Sequence, residues 1–245
     1  RGFMSEVDVN TRIMVFTKNL VEYTPFIERC SQLSKNVRMI YPDDHPRKAE
    51  EEYTNFLKRC KKFSPDLIIS FYYNRIIQSA ILEMPSLAVN FHGSLLPNYA
   101  GSHALNWQII NGEKLSGVTI HELTDEVDGG RIIMQESFEI GFEDTARDVL
   151  RKGIKCSVEL LQQFINDYKS NSITASEQTK SYKDFVCKRR TPEDGEITKG
   201  MSHLQAYNLI RALVDPWPGA FYHNEKGDKI VLKEFLTLEE VERLL

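Results

Sequence analysis

The sequence predicts an α/β protein: a Rossmann-like, doubly wound, mainly parallel sheet with a small β-rich module appended at its C-terminal end. Three observations lead there. From Arg12 onward, short apolar runs alternate with longer polar–apolar segments in a β-α-β-α-β order. The run Leu67-Ile-Ile-Ser70 shows no alternation, as a parallel strand covered on both faces requires. Beyond about residue 190 the pattern changes to a short helix and a hairpin.

The elements follow in order. Residues 12–17 form the first strand and residues 22–33 a helix; residues 37–41 form the second strand, ended by Pro42-Asp-Asp-His-Pro46. A charged helix spans about 47–62, and its polar faces predict extensive solvation. Pro65-Asp66 introduces the third strand, residues 76–82 form a short helix, and residues 86–90 form the fourth strand. A helix from residue 102 or 103 to 111 is stopped by Gly112. Residues 117–123 and 131–140 are two more strands joined by the turn at 125–130. Thr145 is a helix N-cap with Asp148 at capping-box spacing. Val149, Leu150, Ile154, Val158, Leu161 and Ile165 then recur at helical spacing, the mark of a core-facing stripe. From Ser170 the chain turns polar, and residues 188–195 read as a surface connector. Residues 202–214 form a helix, and 220–223 with 229–235 a hairpin turned at 225–228. This organisation divides the chain into a main domain, residues 1–189, and a small C-terminal subdomain, residues 190–245.

Composition narrows the function. A chain of 245 residues with 41% hydrophobic content can bury a substantial core, and its net charge of −4 gives no global attraction to nucleic acid. Cys30, Cys60, Cys156 and Cys187 form no CxxC pair, which argues against zinc and against a disulfide framework and fits a reducing cytoplasm. No apolar run approaches the ~18 residues of a membrane helix, and no signal-peptide pattern is present, so a soluble cytoplasmic protein is expected. The first strand is followed by neither G-x-G-x-x-G nor a Walker sequence, which disfavours dinucleotide and P-loop chemistry. No His/Asp/Glu cluster has metal-ligand spacing.

The candidate site begins where the fourth strand ends, because ligands of doubly wound sheets bind at the carboxyl ends of strands. Asn90 and His92 lie two residues apart, so on an extended segment both point to one side. A carboxamide donor beside an imidazole suits stabilisation of an oxyanion with proton transfer nearby. Leu95-Leu-Pro97 stiffens the loop that follows, and Gly101 permits tight backbone geometry. Asp128, in the turn between the next two strands, is placed to orient the histidine and favour its imidazolium. On residue type alone, Asn-x-His satisfying loop backbone groups is as open as the catalytic reading, and Asp128-Gly-Gly reads as an ordinary turn. His103 and His121 are rival histidines, with His121 reading as a wall or structural residue. His45, His203 and His223 read as peripheral.

Several stretches carry a resemblance: Pro65-DLIISFYYNRI-Ile77, Asn90-FHGSLLPNYA-Gly101, Asn111-Gly-Glu113, Gly117-VTIHELTDEVDGGRIIM-Gln135, Arg189-RTPEDGE-Ile197 and Trp217-Pro-Gly-Ala-Phe221. In this order and spacing they resemble the folate-dependent formyltransferases, which use N10-formyltetrahydrofolate as formyl donor and no metal. The resemblance implies that Asn90, His92 and Asp128 are the catalytic trio and that residues 1–189 are the catalytic domain. It also implies that folate contacts Tyr73, Asn74, Arg75, Ile76 and Ile77 on one side, and Thr124, Asp125, Val127 and Asp128 on the other.

Among acceptor classes, the chain looks most like enzymes that formylate a dTDP- or UDP-linked amino sugar, down to Ser70-Phe-Tyr-Tyr73 and Asn106-Trp107. The Gly-rich phosphate loop of the glycinamide ribonucleotide enzymes is absent, and the acidic chain lacks the basic C-terminal barrel of the methionyl-tRNA enzymes. Those two activities, and a noncatalytic sugar-nucleotide-binding protein of the same fold, are the alternatives. Ala100 stands where an arginine is common and Gly93 where proline is frequent, which leaves the acceptor's identity open.

In the implied reaction Asn90 and a protonated His92 stabilise the tetrahedral oxyanion while Asp128 orients the imidazole. Arg75, Arg189, Arg190 and Arg211 are candidate partners for anionic groups, and Phe71, Tyr72 and Trp107 for ring stacking. The hairpin edge offers a homodimer contact.

Overall fold

The structure, a computed structural model, describes residues 10–46, 50–179 and 184–244. Its chain order is β1 (Arg12–Phe16), α1 (Thr24–Leu33), β2 (Asn36–Ile40), α2 (Glu50–Phe63), β3 (Leu67–Phe71), α3 (Ser79–Leu82), β4 (Leu87–His92), β5 (Ala100–Gly101), α4 (Ala104–Ile110), β6 (Leu115–Glu122), β7 (Ile132–Glu139), α5 (Ala146–Lys169), β8 (Val186–Cys187), α6 (His203–Ala212), β9 (Ala220–His223), β10 (Lys229–Leu232) and α7 (Leu238–Leu244). The expected start of the charged helix at 47–49 lies outside the described residues.

The central sheet has the order β2-β1-β3-β4-β6-β7. Its first four strands pair in parallel, β6 runs antiparallel to β4, and β7 runs antiparallel to β6. The unbroken apolar run of β3 follows from its position, because every one of its residues is buried. Leu67, Ile69 and Phe71 face a core shared with α1 and α5, while Ile68 faces a second core with Phe56 of α2 and Ile81 of α3. Thr145 caps α5 with Asp148 in a reciprocal capping box, a pair of contacts that contributes about 1 kcal/mol.

The small antiparallel sheet β9–β10 lies where the sequence predicts a hairpin. Ala206, Tyr207 and Ile210 of α6, Ala220 of β9 and Val241 of α7 share one hydrophobic core with Ile154 and Phe164 of α5.

Several element assignments differ from expectation, among them the short pair β5–β8, which the sequence reading lacks. The helix expected over 76–82 contracts to Ser79–Leu82, since the preceding residues are held extended by side-chain contacts. The fourth strand runs on to His92, so Asn90 and His92 are strand residues that pair with β6. Helix α7 has no counterpart in the sequence reading; it buries Val241 among charged neighbours, too sparse an apolar pattern to reveal a helix.

Candidate active site

Parallel strands deliver β4 to the carboxyl edge of the sheet, and its period-2 geometry puts Asn90 and His92 on one side. The antiparallel register of β6 sets His121 directly opposite Asn90 on that same side. The β6–β7 connection then carries Asp128 back over the pair. Gly130 makes this return possible, because a Cβ there would lie 1.9 Å from the Glu122 carbonyl oxygen. The stem is fastened by the Arg131 guanidinium, which donates to both Glu122 oxygens at 2.6 and 2.7 Å. Gln178 Nε2 donates to the Asp128 and Gly130 carbonyls, each at 2.7 Å, and holds the turn from outside.

The structure brings the three expected residues together. Asp128 Oδ2 lies 3.4 Å from His92 Nδ1 and accepts the Gly101 N–H at 2.8 Å. Asp128 Oδ1 lies 3.4 Å from Asn90 Nδ2 and 3.5 Å from His121 Nε2. His92 Nε2 lies 2.8 Å from the Tyr99 carbonyl oxygen. A carbonyl only accepts, so Nε2 carries the proton, and in the neutral ring Nδ1 presents a lone pair to Asp128. The same logic fixes His121: its Nδ1 lies 2.8 Å from the Glu122 carbonyl, so Nδ1 carries the proton and Nε2 accepts from Asn90 Nδ2 at 3.1 Å.

Electrostatics follow burial. Desolvation is the largest influence on His92 and pushes its pKa below the ordinary imidazole value; Asp128 and the Tyr99 carbonyl pull upward without reversing this. Burial also works against an ionised Asp128. His92 and the Gly101 N–H are among the influences that outweigh it and hold the carboxyl at about 2. Burial thus favours the neutral form of His92, while its neighbours favour an ionised Asp128. His92 Nδ1 and Asp128 Oδ2 face each other, so a proton arriving at Nδ1 is met by a carboxylate oxygen.

The loop after β4 is held by buried and half-buried hydrogen bonds. Thr119 Oγ1 donates to Ser94 O at 2.6 Å, Gln135 Nε2 to Leu96 O at 2.8 Å, and Gln108 Nε2 to Gly93 O at 2.9 Å. Tyr99 itself is held by its N–H, which donates to Phe185 O at 2.7 Å, and by Ser94 Oγ, which lies 3.3 Å from its carbonyl oxygen.

Residues 15–165 match the formyl transferase family. The chain belongs to the formyl transferase family. It is 40% identical over 179 residues to the bifunctional polymyxin resistance protein ArnA of Wigglesworthia glossinidia brevipalpis, which covers 73% of this chain and 27% of that protein. The chain thus spans about a quarter of the length of this curated relative. In fold it resembles a 4-N formyltransferase from Francisella tularensis (TM-score 0.72, 22% identity, 93% of this chain and 98% of that one). It also resembles HypX from Aquifex aeolicus in complex with tetrahydrofolic acid (TM-score 0.73, 19% identity, 91% of this chain and 37% of that one).

The two segments expected to contact folate also meet in this formyl transferase. Ser79 Oγ, just past Ile77, donates to Asp125 Oδ1 at 2.7 Å, and Leu123 packs in the same apolar cluster as Ile77 and Tyr73. His45, which reads as peripheral in sequence, anchors the first segment: its ring nitrogens lie 2.8 Å from Tyr73 Oη and 2.9 Å from Gln78 Oε1, and its carbonyl accepts from Arg75. Asn74, Ile76, Thr124, Asp125 and Val127 project outward, with Ile76 78% and Val127 69% exposed.

Other candidates are structural. Arg211 is buried and donates to Asn208 Oδ1 at 2.9 Å and to the Asp144 carbonyl at 2.8 Å, so it packs α6 against the α5 cap and meets no ligand. Phe71 stacks flat on Phe26 in the core, with ring centroids 3.7 Å apart. Among the described residues, no group of His, Cys, Asp and Glu could hold a metal ion, and no helix is long and apolar enough to cross a membrane. The four cysteines are free and buried.

Proposed function

We propose that the chain transfers a formyl group from N10-formyltetrahydrofolate to the amine of a dTDP- or UDP-linked amino sugar. One observation carries this reading: in a formyl transferase family chain, Asn90, His92 and Asp128 converge at the carboxyl end of β4. The names of the similar structures, a 4-N formyltransferase and a tetrahydrofolate complex, support the acceptor and donor classes respectively. The exposed apolar side chains of Ile76 and Val127, on the two segments joined by Ser79 and Asp125, suit a pterin edge.

The neutral acceptor amine attacks the formyl carbon, and a C–N bond to the acceptor forms as the formyl oxygen takes negative charge. The amine's surplus proton goes to His92 Nδ1, where Asp128 stabilises the resulting imidazolium. Because His92 Nε2–H is committed to the Tyr99 carbonyl, the oxyanion donor is Asn90 Nδ2–H. That hydrogen is released from Asp128 Oδ1, its longer contact at 3.4 Å, once the carboxylate is paired with the imidazolium. A donor of this kind supplies about 3 kcal/mol of barrier lowering. As the bond to N10 breaks, the proton on Nδ1 passes to the departing nitrogen, and His92 returns to its neutral state. Residues 1–189 act as the catalytic domain and residues 190–245 as a small subdomain, in a reducing, cytoplasmic setting that suits four free thiols.

Mass spectrometry of a panel of dTDP- and UDP-linked amino sugars, each incubated with formylated folate, tests the reading. One acceptor gaining a formyl group with matching release of tetrahydrofolate is expected; folate retained and every acceptor unchanged overturns it.

A further inference from the structure

The segment after β8 and the Trp217-Pro-Gly219 turn before β9 enclose a narrow cavity of about 70 Å³, lined in part by His103, Asn106, Arg190, Thr191 and Trp217. It joins two stretches, Arg189-Arg-Thr-Pro and Trp217-Pro-Gly, for which the transfer chemistry has no use. Arg190 is the feature that needs explaining. Its guanidinium lies over the Trp107 ring at 4.7 Å, and the indole Nε1–H is tied to the Lys188 carbonyl at 2.8 Å. The Arg190 backbone N–H points at His103 Nδ1, 3.4 Å away, and its Nη2 donates to the Asp194 carbonyl. Its Nε is buried with no hydrogen-bond partner. A buried guanidinium N–H left unsatisfied marks a place where an acceptor is missing.

The surroundings are cationic. Arg189 is exposed, Lys18 at the end of β1 is half-buried, and among the described residues neither has a carboxylate in ion-pair contact. After burial, the charges of Arg189, Arg190 and Lys18 are what lower the pKa of His103, so all three bear on one ring. The nearby carboxylate, Asp194, is turned to the Thr191 N–H at 2.6 Å.

We propose that this cavity, with Arg190 in its wall and Arg189 next to it in the chain, forms a phosphate subsite that takes the diphosphate of the nucleotide-linked acceptor. Arginine and lysine on different segments suit an anion with several oxygens, and the platform of Trp107 pre-orients the Arg190 fork. The placement serves the reaction proposed above, on which this assignment rests. His103 lies two residues past Gly101, whose N–H holds Asp128, so a diphosphate fixed here leaves its sugar facing the trio. Side-chain cations thereby do what a glycine-rich loop does elsewhere.

Titration calorimetry on the whole chain with inorganic pyrophosphate, UDP, dTDP and tetrahydrofolate, with and without Lys18→Ala/Arg189→Ala, tests this without turnover. Pyrophosphate and at least one nucleotide should bind the wild type, at least about tenfold more weakly in the double variant and with steep salt dependence, while tetrahydrofolate binding is unchanged. Arg190→Lys, which keeps the charge but loses the fork, should also weaken both anions. Equal pyrophosphate affinity in wild type and double variant, or none in the wild type, overturns the assignment. Loss of tetrahydrofolate binding instead would give the cations to the folate tail and overturn it equally. Pyrophosphate binding that persists where no amino sugar is formylated would fault the transfer reading and leave the subsite standing.

Discussion

Asn90 and His121 face each other across the β4–β6 ladder, with Asn90 Nδ2 3.1 Å from His121 Nε2. The Glu122 carbonyl fixes the proton on the far side of the imidazole, so His121 can only accept from the carboxamide. His121 is thus a positioning residue: it sets which face of Asn90 carries the amide hydrogens. His121→Phe is expected to lower kcat on the order of tenfold to a hundredfold with both KM values unchanged, and His121→Gln to restore part of the loss. In an Asn90→Ala background the same substitution should cost less than about twofold. Fully additive losses would show that His121 acts elsewhere.

His92 accepts the amine proton in this scheme. Replacing it by asparagine should reduce kcat by about a hundredfold or more while the far-ultraviolet circular dichroism and the melting temperature hold. An active, folded His92→Asn protein would remove the histidine from the chemistry.

Burial keeps His92 below its usual 6.5, and only the neutral ring can take a proton. Activity should accordingly rise with pH along a limb whose midpoint lies below 6.5. Asp128 pulls that midpoint upward, so Asp128→Asn should shift it to still lower pH while reducing the plateau. A pH–rate profile of kcat/KM for both proteins measures this, and a shift to higher pH in the variant contradicts it.

Asp128 also links stability to pH. Its pKa is depressed from 3.8 to about 2 in the folded chain. The stabilisation is therefore complete above the unfolded value and is lost as pH falls through about 2. Its size is about 2 kcal/mol. Urea unfolding should find the stability gap between wild type and Asp128→Asn closing as pH falls from about 4 to 2. A gap constant across that window would place the stabilisation elsewhere.

Gly101 sits at φ +101°, and a Cβ there would lie 2.6 Å from the Cys187 carbonyl oxygen. Gly101→Ala should cost about 1–3 kcal/mol in thermal unfolding and depress activity by displacing the N–H that holds Asp128. A variant as stable and active as the parent would refute this role.

Much of the site is readable from the chain because it depends on short-range periodicity. Two-residue spacing puts Asn90 and His92 on one side of a strand, and that survives any detail of packing. The meeting with Asp128 depends on how far a hairpin reaches back, and only the resemblance raises it above an ordinary turn. His121 is the instructive miss. Alternation within Val118-Thr-Ile-His121 marks the strand, but which residue stands opposite Asn90 is a matter of antiparallel register, which local pattern does not encode. Arg211 and Phe71 fail the other way. Their residue types suit a ligand, and only burial against α5 and Phe26 reveals their packing roles. His45 reads as peripheral among its prolines, yet that bend is what brings it to Tyr73.

The short pairing of β5 with β8 has a mechanical result. Gly101 offers its amide to a carboxylate and is paired in register with Cys187, only three positions ahead of Arg190. One peptide unit therefore couples the arginine-bearing segment to the reacting end of the pocket. Anything that drags that segment out of register slackens the hold on Asp128 as well, so on the proposed reading a chain damaged there loses grasp and turnover in a single failure.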